Sequence, residues 1–99
     1  MHFFVTFVYE ILETTENYNS EFIHNELEEL GLSNLVKVCE DDIHSLPRQL
    51  YVGEYKFTDK NDLKNVLYTE IRKLFEQNGV RATIFISVSK DSTFGVTSI

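Results

Sequence analysis

Apolar side chains occupy almost every position of the chain's first stretch, HFFVTFVYEI, residues 2–11. Phe, Val and Tyr fit a pleated surface, and a run that is apolar at odd and even positions alike is typical of a strand buried on both faces. Glu10 lies where this strand leaves the core. The pattern leaves open whether Glu10 takes part in chemistry or only ends the strand.

Two later segments have the spacing of amphipathic helices. Residues 21–30 form the first, with Ser20 as a plausible N-cap and Gly31 as the residue that ends it. The second follows Thr58 or Asp59 as its cap and stops at residues 78–79, an Asn-Gly pair. The apolar positions of one face of each helix indicate its buried side: Phe22, Ile23, Leu27 and Leu30 in the first, and Leu63, Val66, Leu67, Ile71 and Leu74 in the second.

Three further segments are predicted to be strands. The first is a short β-branched run at residues 35–39, and the second is the segment at residues 50–57. The third is residues 81–90, in which Ile84, Ile86 and Val88 alternate with other side chains. Pro47 is expected just before a strand or at a sheet edge, because it has no N–H group to donate. We therefore expect the strands at 35–39 and 50–57 to form a hairpin with a long, polar loop.

The predicted order is β-α-β-β-α-β, which is the ferredoxin-like arrangement: a four-stranded antiparallel sheet with two helices on one face. The second face has no helix to cover it, although Phe4 and Val8 of the first strand would lie on it. An uncovered apolar face predicts a homodimer. Residues 90–99 form a tail with enough β character for a short fifth strand, or for a strand exchanged between subunits.

Length and composition are those of one α+β domain spanning residues 1–99. The chain has 42% hydrophobic residues, and Cys39 is its one cysteine, so an internal disulfide is excluded. No apolar stretch approaches the roughly 20 residues of a membrane span, and no signal peptide precedes the first strand. We expect a cytoplasmic protein without a membrane partner.

The net charge of −7 comes from the first third of the chain. Residues 1–36 contain seven acids and no Lys or Arg, whereas the two signs balance over residues 37–99. Nucleic-acid affinity depends largely on Lys and Arg, so this region is expected to repel nucleic acid and to attract a basic partner. The acids that would form that interaction surface lie on the first helix: Glu21, Glu28 and Glu29.

Three residues are candidates for catalysis. Glu10 offers a carboxylate for metal binding or general-base chemistry, His24 an imidazole that can carry a proton without a metal, and Arg48 a phosphate contact beside the rigid Pro47. Each has an ordinary alternative: a solvated strand end, a structural histidine, and an ion pair with Asp41 or Asp42. The acidic stretch at residues 40–44, EDDIH, lacks the glycine and ligand spacing of a calcium loop and is expected to be a solvated hairpin turn.

The element order and a first strand ending in Tyr9, Glu10 and Ile11 resemble the small CRISPR-associated ferredoxin-like nucleases, whose first strand commonly ends in Tyr-Asp and an apolar residue. The segment LPRQL, residues 46–50, is similar to the run entering the third strand of the GhoS-type antitoxin endoribonucleases. Here Glu10 takes the aspartate position of the first family.

The resemblance implies a cytoplasmic homodimer of a toxin-antitoxin or defence system that cleaves single-stranded RNA. It also implies that first-strand acids, here Glu10, face each other across the two-fold axis and bind a divalent metal such as magnesium or manganese. The alternative, which rests on charge, is a non-catalytic acidic protein that inhibits a basic, nucleic-acid-binding partner by mimicking nucleic acid.

Overall fold

The computed structural model describes residues 1–39 and 42–90, with the backbone alone for residues 36–39 and 42–45. Glu40, Asp41 and the predicted fifth strand of the tail lie outside the described residues. The described chain contains two helices, α1 (Ser20–Glu29) and α2 (Lys60–Gln77). Its strands are β1 (His2–Thr14), β2 (Leu35–Cys39), β3 (Asp42–Ser45), β4 (Leu50–Lys56) and β5 (Val80–Ser89).

The main sheet has three antiparallel strands in the order β4-β1-β5. β1 lies in the centre, as its continuous apolarity predicts, with Phe7 directly opposite Tyr51 of β4 and Ile86 of β5. The pairing of β1 with β5 shifts register between Ile11 and Glu13. Beyond Val8, β1 pairs with β5 alone. Glu10 lies in this last part of β1.

The predicted fourth strand of this sheet is wrong. β2 pairs instead with β3 in a separate two-stranded sheet, and the chain before β2 joins β4 through one bridge, between Ser33 and Val52. The residues of β3 were expected to belong to a solvated turn, yet they give β2 a strand partner that is nearer in sequence than β4. The α+β class and the two helices are confirmed, and the arrangement is compatible with a ferredoxin-like fold.

Both helices cover the face of the sheet that carries the odd-numbered side chains of β1. Phe3, Val5, Phe7 and Tyr9 are buried there. The helices contribute Ile23, Leu27, Leu63, Leu67, Ile71 and Phe75 to the same core. The predicted α2 face is correct except at Val66, which is 49% exposed, while Phe75 completes the stripe one turn after Ile71.

The opposite face of the sheet is not covered by a helix in the described part of the chain. Val8 of β1 pairs with Phe85 of β5 on this side, and the Phe85 side chain is 60% exposed. Leu12 is also exposed, and Glu10 lies on the same side because successive strand residues alternate. We call this surface, defined by Val8, Glu10, Leu12 and Phe85, the open face.

Side-chain and glycine signals set the helix ends. Asn19, rather than the predicted Ser20, is the N-cap of α1, and its side chain accepts a hydrogen bond from the Phe22 N–H at 3.0 Å. Asp59 caps α2 as expected. Gly31 and Gly79 follow the two helices with φ of 94° and 70°, conformations that glycine adopts most readily.

Neither helix is long and apolar enough to span a membrane, among the residues described.

Candidate functional site

An open cleft of about 460 Å³ lies beside the N-terminal half of α1. Its walls come from parts of the chain that are far apart in sequence: Tyr9 of β1, His24 of α1, Tyr51 of β4, and Arg48 in the turn before β4. Tyr18, in the connection from β1 to α1, completes a lining rich in aromatic rings. The fold therefore brings together two of the three predicted catalytic residues, His24 and Arg48.

A hydrogen-bonded turn holds Arg48 at the cleft. The Leu50 N–H donates to the Pro47 carbonyl at 3.1 Å, and Gln49 between them has φ of 69°. The Asn34 side-chain amide donates to the carbonyls of Pro47 at 3.1 Å and of Leu50 at 2.6 Å. Because one side chain bridges both ends of the turn, the backbone of Arg48 is fixed while its guanidinium side chain stays exposed.

The same turn is attached to the central strand. The Tyr9 N–H donates to the Gln49 carbonyl at 3.2 Å. This bond continues the contact between β1 and the chain entering β4 beyond the last ladder pair, Val8 with Leu50. The register of the sheet thus sets the position of Arg48 relative to the Tyr9 ring.

Both ring nitrogens of His24 have partners. Nδ1 lies 2.9 Å from the Tyr51 hydroxyl, and Nε2 lies 2.9 Å from Oε1 of Glu28, one helical turn later. The His24 side chain is 39% exposed, so it is open to the cleft as well as held by its neighbours. A histidine oriented by a carboxylate and a hydroxyl is equipped to move a proton.

Two tyrosine hydroxyls extend this contact into the core. The Tyr9 and Tyr51 rings stack with centroids 6.3 Å apart, and the Tyr9 hydroxyl is placed to donate towards that of Tyr51. Burial, and secondly the neighbouring Tyr51, raises the pKa of Tyr9 well above its usual range, while the positive charge of Arg48 acts in the opposite direction. Burial also raises the pKa of Tyr51, against the effect of the hydrogen bond from Tyr9. Both hydroxyls therefore keep their protons at neutral pH.

The remaining candidate residues have different positions. Glu21 lines the cleft, and Glu28 reaches it through His24. Glu29 is exposed on α1 and is not part of the lining. Glu10 is exposed on the open face, opposite Thr83 of β5, so it does not join His24 and Arg48.

No cluster of three or more His, Cys, Asp or Glu side chains suited to a metal is found among the described side chains, those of residues 1–35 and 46–90. Glu10 belongs to no such cluster in the part of the chain whose side chains are described. In the metal site that the resemblance implies, the facing Glu10 belongs to a second subunit. The side chains of Asp42 and His44, in β3, are outside the described part of the chain.

A second cleft, of about 310 Å³, lies between α2 and β5 and contains Arg72 and Arg81. Each arginine lies near a carboxylate. Arg72 Nε donates to Glu76 at 2.9 Å, and Arg81 lies 3.7 Å from Glu13. These pairs neutralise the charge of the second cleft, whereas none of the carboxylates that the structure describes forms an ion pair with Arg48 in the first.

Sequence reasoning missed the tyrosines that build the site. The Tyr51 ring packs in the core, being 4% exposed, and its hydroxyl contacts His24. Two signals were available. His24 and Glu28 are spaced i, i+4 on a helix, and Tyr9 takes an odd, inward position of β1.

Comparison of the chain with protein-family models, with curated proteins and with solved structures gives no match.

Proposed function

We propose that this protein is a ferredoxin-like endoribonuclease that cleaves single-stranded RNA in the cleft formed around His24 and Arg48. The observation that supports the proposal is the convergence of an oriented imidazole, an exposed guanidinium and aromatic rings in one cleft. Histidine is suited to proton transfer near neutral pH, arginine to phosphate, and tyrosine rings to stacking with unpaired bases.

The reaction that these groups fit is attack of a ribose 2′-hydroxyl on the adjacent phosphodiester. His24 accepts the hydroxyl proton while Arg48 contacts the phosphate oxygens. A bond forms between O2′ and phosphorus and the bond from phosphorus to O5′ breaks, and the proton passes to the departing 5′ oxygen. The products are a 2′,3′-cyclic phosphate and a 5′-hydroxyl end.

The test is cleavage of a single-stranded RNA in the presence of a chelator, with analysis of the product ends. We expect His24→Gln to lower the rate about 100-fold, the low end of the usual contribution of a general acid or base. Arg48→Ala should lower it about tenfold, as expected for a lost charge-assisted hydrogen bond. The matched controls are His2→Gln and Arg72→Ala, which alter exposed residues outside this cleft.

Cyclic phosphate ends and loss of activity only in the cleft variants support the proposal. A wild-type protein that leaves RNA intact, or cleft variants as active as the controls, would contradict it.

We propose further that the chain forms a cytoplasmic homodimer through the open face, as part of a toxin-antitoxin or defence system. Large exposed apolar side chains on one sheet surface support the interface. Because Glu10 lies on the same surface, a two-fold axis there would bring the Glu10 carboxylates of two subunits towards each other, as ligands for magnesium or manganese. Manganese should then raise the melting temperature of the wild type and not that of Glu10→Gln; an equal effect on both proteins counts against this site.

The second candidate function is that of an acidic, non-catalytic inhibitor that occupies a basic surface of another protein. The observation that favours it is the exposure of Glu21, Glu28 and Glu29 on α1, in a part of the chain without Lys or Arg. Exposed charges are screened beyond about 10 Å at about 0.1 M salt, so binding to a basic protein should weaken steeply as salt is added. Binding that is insensitive to salt, or to the combined Glu-to-Gln variant of these three residues, would exclude it.

A further inference from the structure

The hydrogen bonds around His24 determine where its proton lies. An ionised carboxylate only accepts hydrogen bonds, so the 2.9 Å contact between Nε2 and Glu28 requires Nε2 to carry a hydrogen. In the neutral imidazole, Nδ1 is then an acceptor, and the Tyr51 hydroxyl at 2.9 Å must donate to it. His24 is thereby held as the Nε2–H tautomer.

Tyr9 fits the same direction of donation. A hydroxyl has one hydrogen and two lone pairs, so a Tyr51 that donates to His24 can still accept from Tyr9. Along the series Tyr9, Tyr51, His24 and Glu28, each of the first three groups then donates a hydrogen bond to the next, and Glu28 is the final acceptor. No buried side-chain nitrogen or oxygen is left without a partner in the described part of the chain, which agrees with this assignment.

We infer that Tyr51 is a further catalytic residue of the cleft, which transfers the proton between RNA and His24; this inference rests on the proposed function. The basic nitrogen of His24 is Nδ1, and Tyr51 occupies it, so a substrate hydroxyl reaches that nitrogen through the Tyr51 oxygen. Tyr51 lines the cleft, although its ring is almost fully buried. Glu28 then stabilises the imidazolium through Nε2–H.

The transfer balances without any further reactant. The 2′-hydroxyl proton moves to Tyr51 Oη as the Tyr51 proton moves to His24 Nδ1, and the bond from O2′ to phosphorus forms. The bond from phosphorus to O5′ then breaks, and the reverse transfer along the same groups delivers a proton to the 5′ oxygen. Tyr51 and His24 return to their starting states.

Nitrogen-15 NMR of the imidazole rings tests the arrangement without reference to activity. The chain has three histidines, and the His24 signals are identified by their loss in His24→Gln. We expect neutral His24 in the wild type to show protonated Nε2 and unprotonated Nδ1. Tyr51→Phe should keep this tautomer, because Glu28 still accepts from Nε2–H, but it should shift the Nδ1 signal downfield as Nδ1 loses its donor. Tyr55→Phe, the control, should leave His24 unchanged, because Tyr55 donates to the Leu30 carbonyl instead.

An Nδ1–H tautomer in the wild type, or an Nδ1 signal that Tyr51→Phe leaves in place, would overturn the inference. The wild-type spectrum gives this answer even if Tyr51→Phe does not fold. In the cleavage assay, Tyr51→Phe should lose about 100-fold in rate, with binding of a non-cleavable 2′-O-methyl RNA unchanged. If the wild type cleaves RNA and Tyr51→Phe is fully active, proton transfer through Tyr51 is wrong while the proposed function stands. If the wild type cleaves no RNA, the proposed function is wrong whichever tautomer His24 has.

Discussion

His24 shows how much a single residue's role depends on neighbours that sequence cannot locate. Its spacing from Glu28 is readable on a helix, because residues four apart lie on one face. Its contact with Tyr51 is not readable, since it depends on how α1 packs over β4. Glu10 shows the converse: its position at the end of an apolar run was evident, but alternation along β1 places it on the face away from His24 and Arg48.

The buried tyrosines are expected to make the fold less stable at alkaline pH. Burial raises the pKa of Tyr55 from 10.0 to about 12, and its hydroxyl donates to the Leu30 carbonyl at 2.6 Å. Because the folded pKa lies above the unfolded one, the contribution of Tyr55 is complete below pH 10 and is lost as the pH rises towards 12. We expect the free energy of unfolding, measured with urea, to fall over this window.

Tyr55→Phe isolates that contribution. The variant should be less stable than the wild type at neutral pH, because the Leu30 carbonyl loses its donor, but its stability should fall less steeply above pH 10. Parallel pH profiles for the two proteins would show that Tyr55 does not titrate in this way.

At the scale of elements, the two helices and the three strands of the main sheet follow from periodicity and caps. The apolar spacing of α2 and its Asp59 cap placed that helix correctly. β3 was not predicted because it has only four residues, three of them polar, and therefore carries little periodic signal. Its strand conformation depends on pairing with β2. The bridge between Ser33 and Val52 shows that the chain before β2 still runs beside β4.

Asn34 links that segment to the turn that carries Arg48. Its amide donates to two backbone carbonyls, so Asn34→Ala leaves both without this donor. We expect a loss of about 1–2 kcal/mol in the free energy of unfolding, measured by urea titration, together with weaker RNA binding at the cleft. Asn61→Ala is the control, since only the backbone of Asn61 contributes to the α2 cap. An Asn34 variant as stable as this control would mean that the turn does not depend on the hydrogen bonds from Asn34.

At the scale of the whole molecule, the described part of the chain leaves one side of the sheet covered and the other open, because both helices lie on the same face. The sequence predicted this asymmetry correctly, because a first strand that is apolar at odd and even positions has two sides to bury and the fold covers one. The cleft could not be predicted from the sequence, because its walls come from β1, from α1 and from the turn before β4. Long-range packing brings them together.

The open face predicts the association state. We expect light scattering at micromolar concentration to give the mass of a dimer for the wild type and of a monomer for Phe85→Glu, because a charge buried between two sheets without a partner is strongly unfavourable. Val66→Glu is the matched control: Val66 is also an exposed apolar residue, but it lies on α2, away from the open face. A monomeric wild type, or a Phe85→Glu protein that remains dimeric, would rule out this interface.

The most direct measurement of the central claim is an NMR titration of the isotope-labelled protein with a 2′-O-methyl single-stranded RNA, which binds without being cleaved. If the cleft is the RNA site, the saturable shift changes will centre on Tyr18, His24 and Arg48 and will be lost in Arg48→Ala. The account is contradicted if the RNA causes no saturable change, or if the changes lie at the open face or around Arg72 and Arg81 instead.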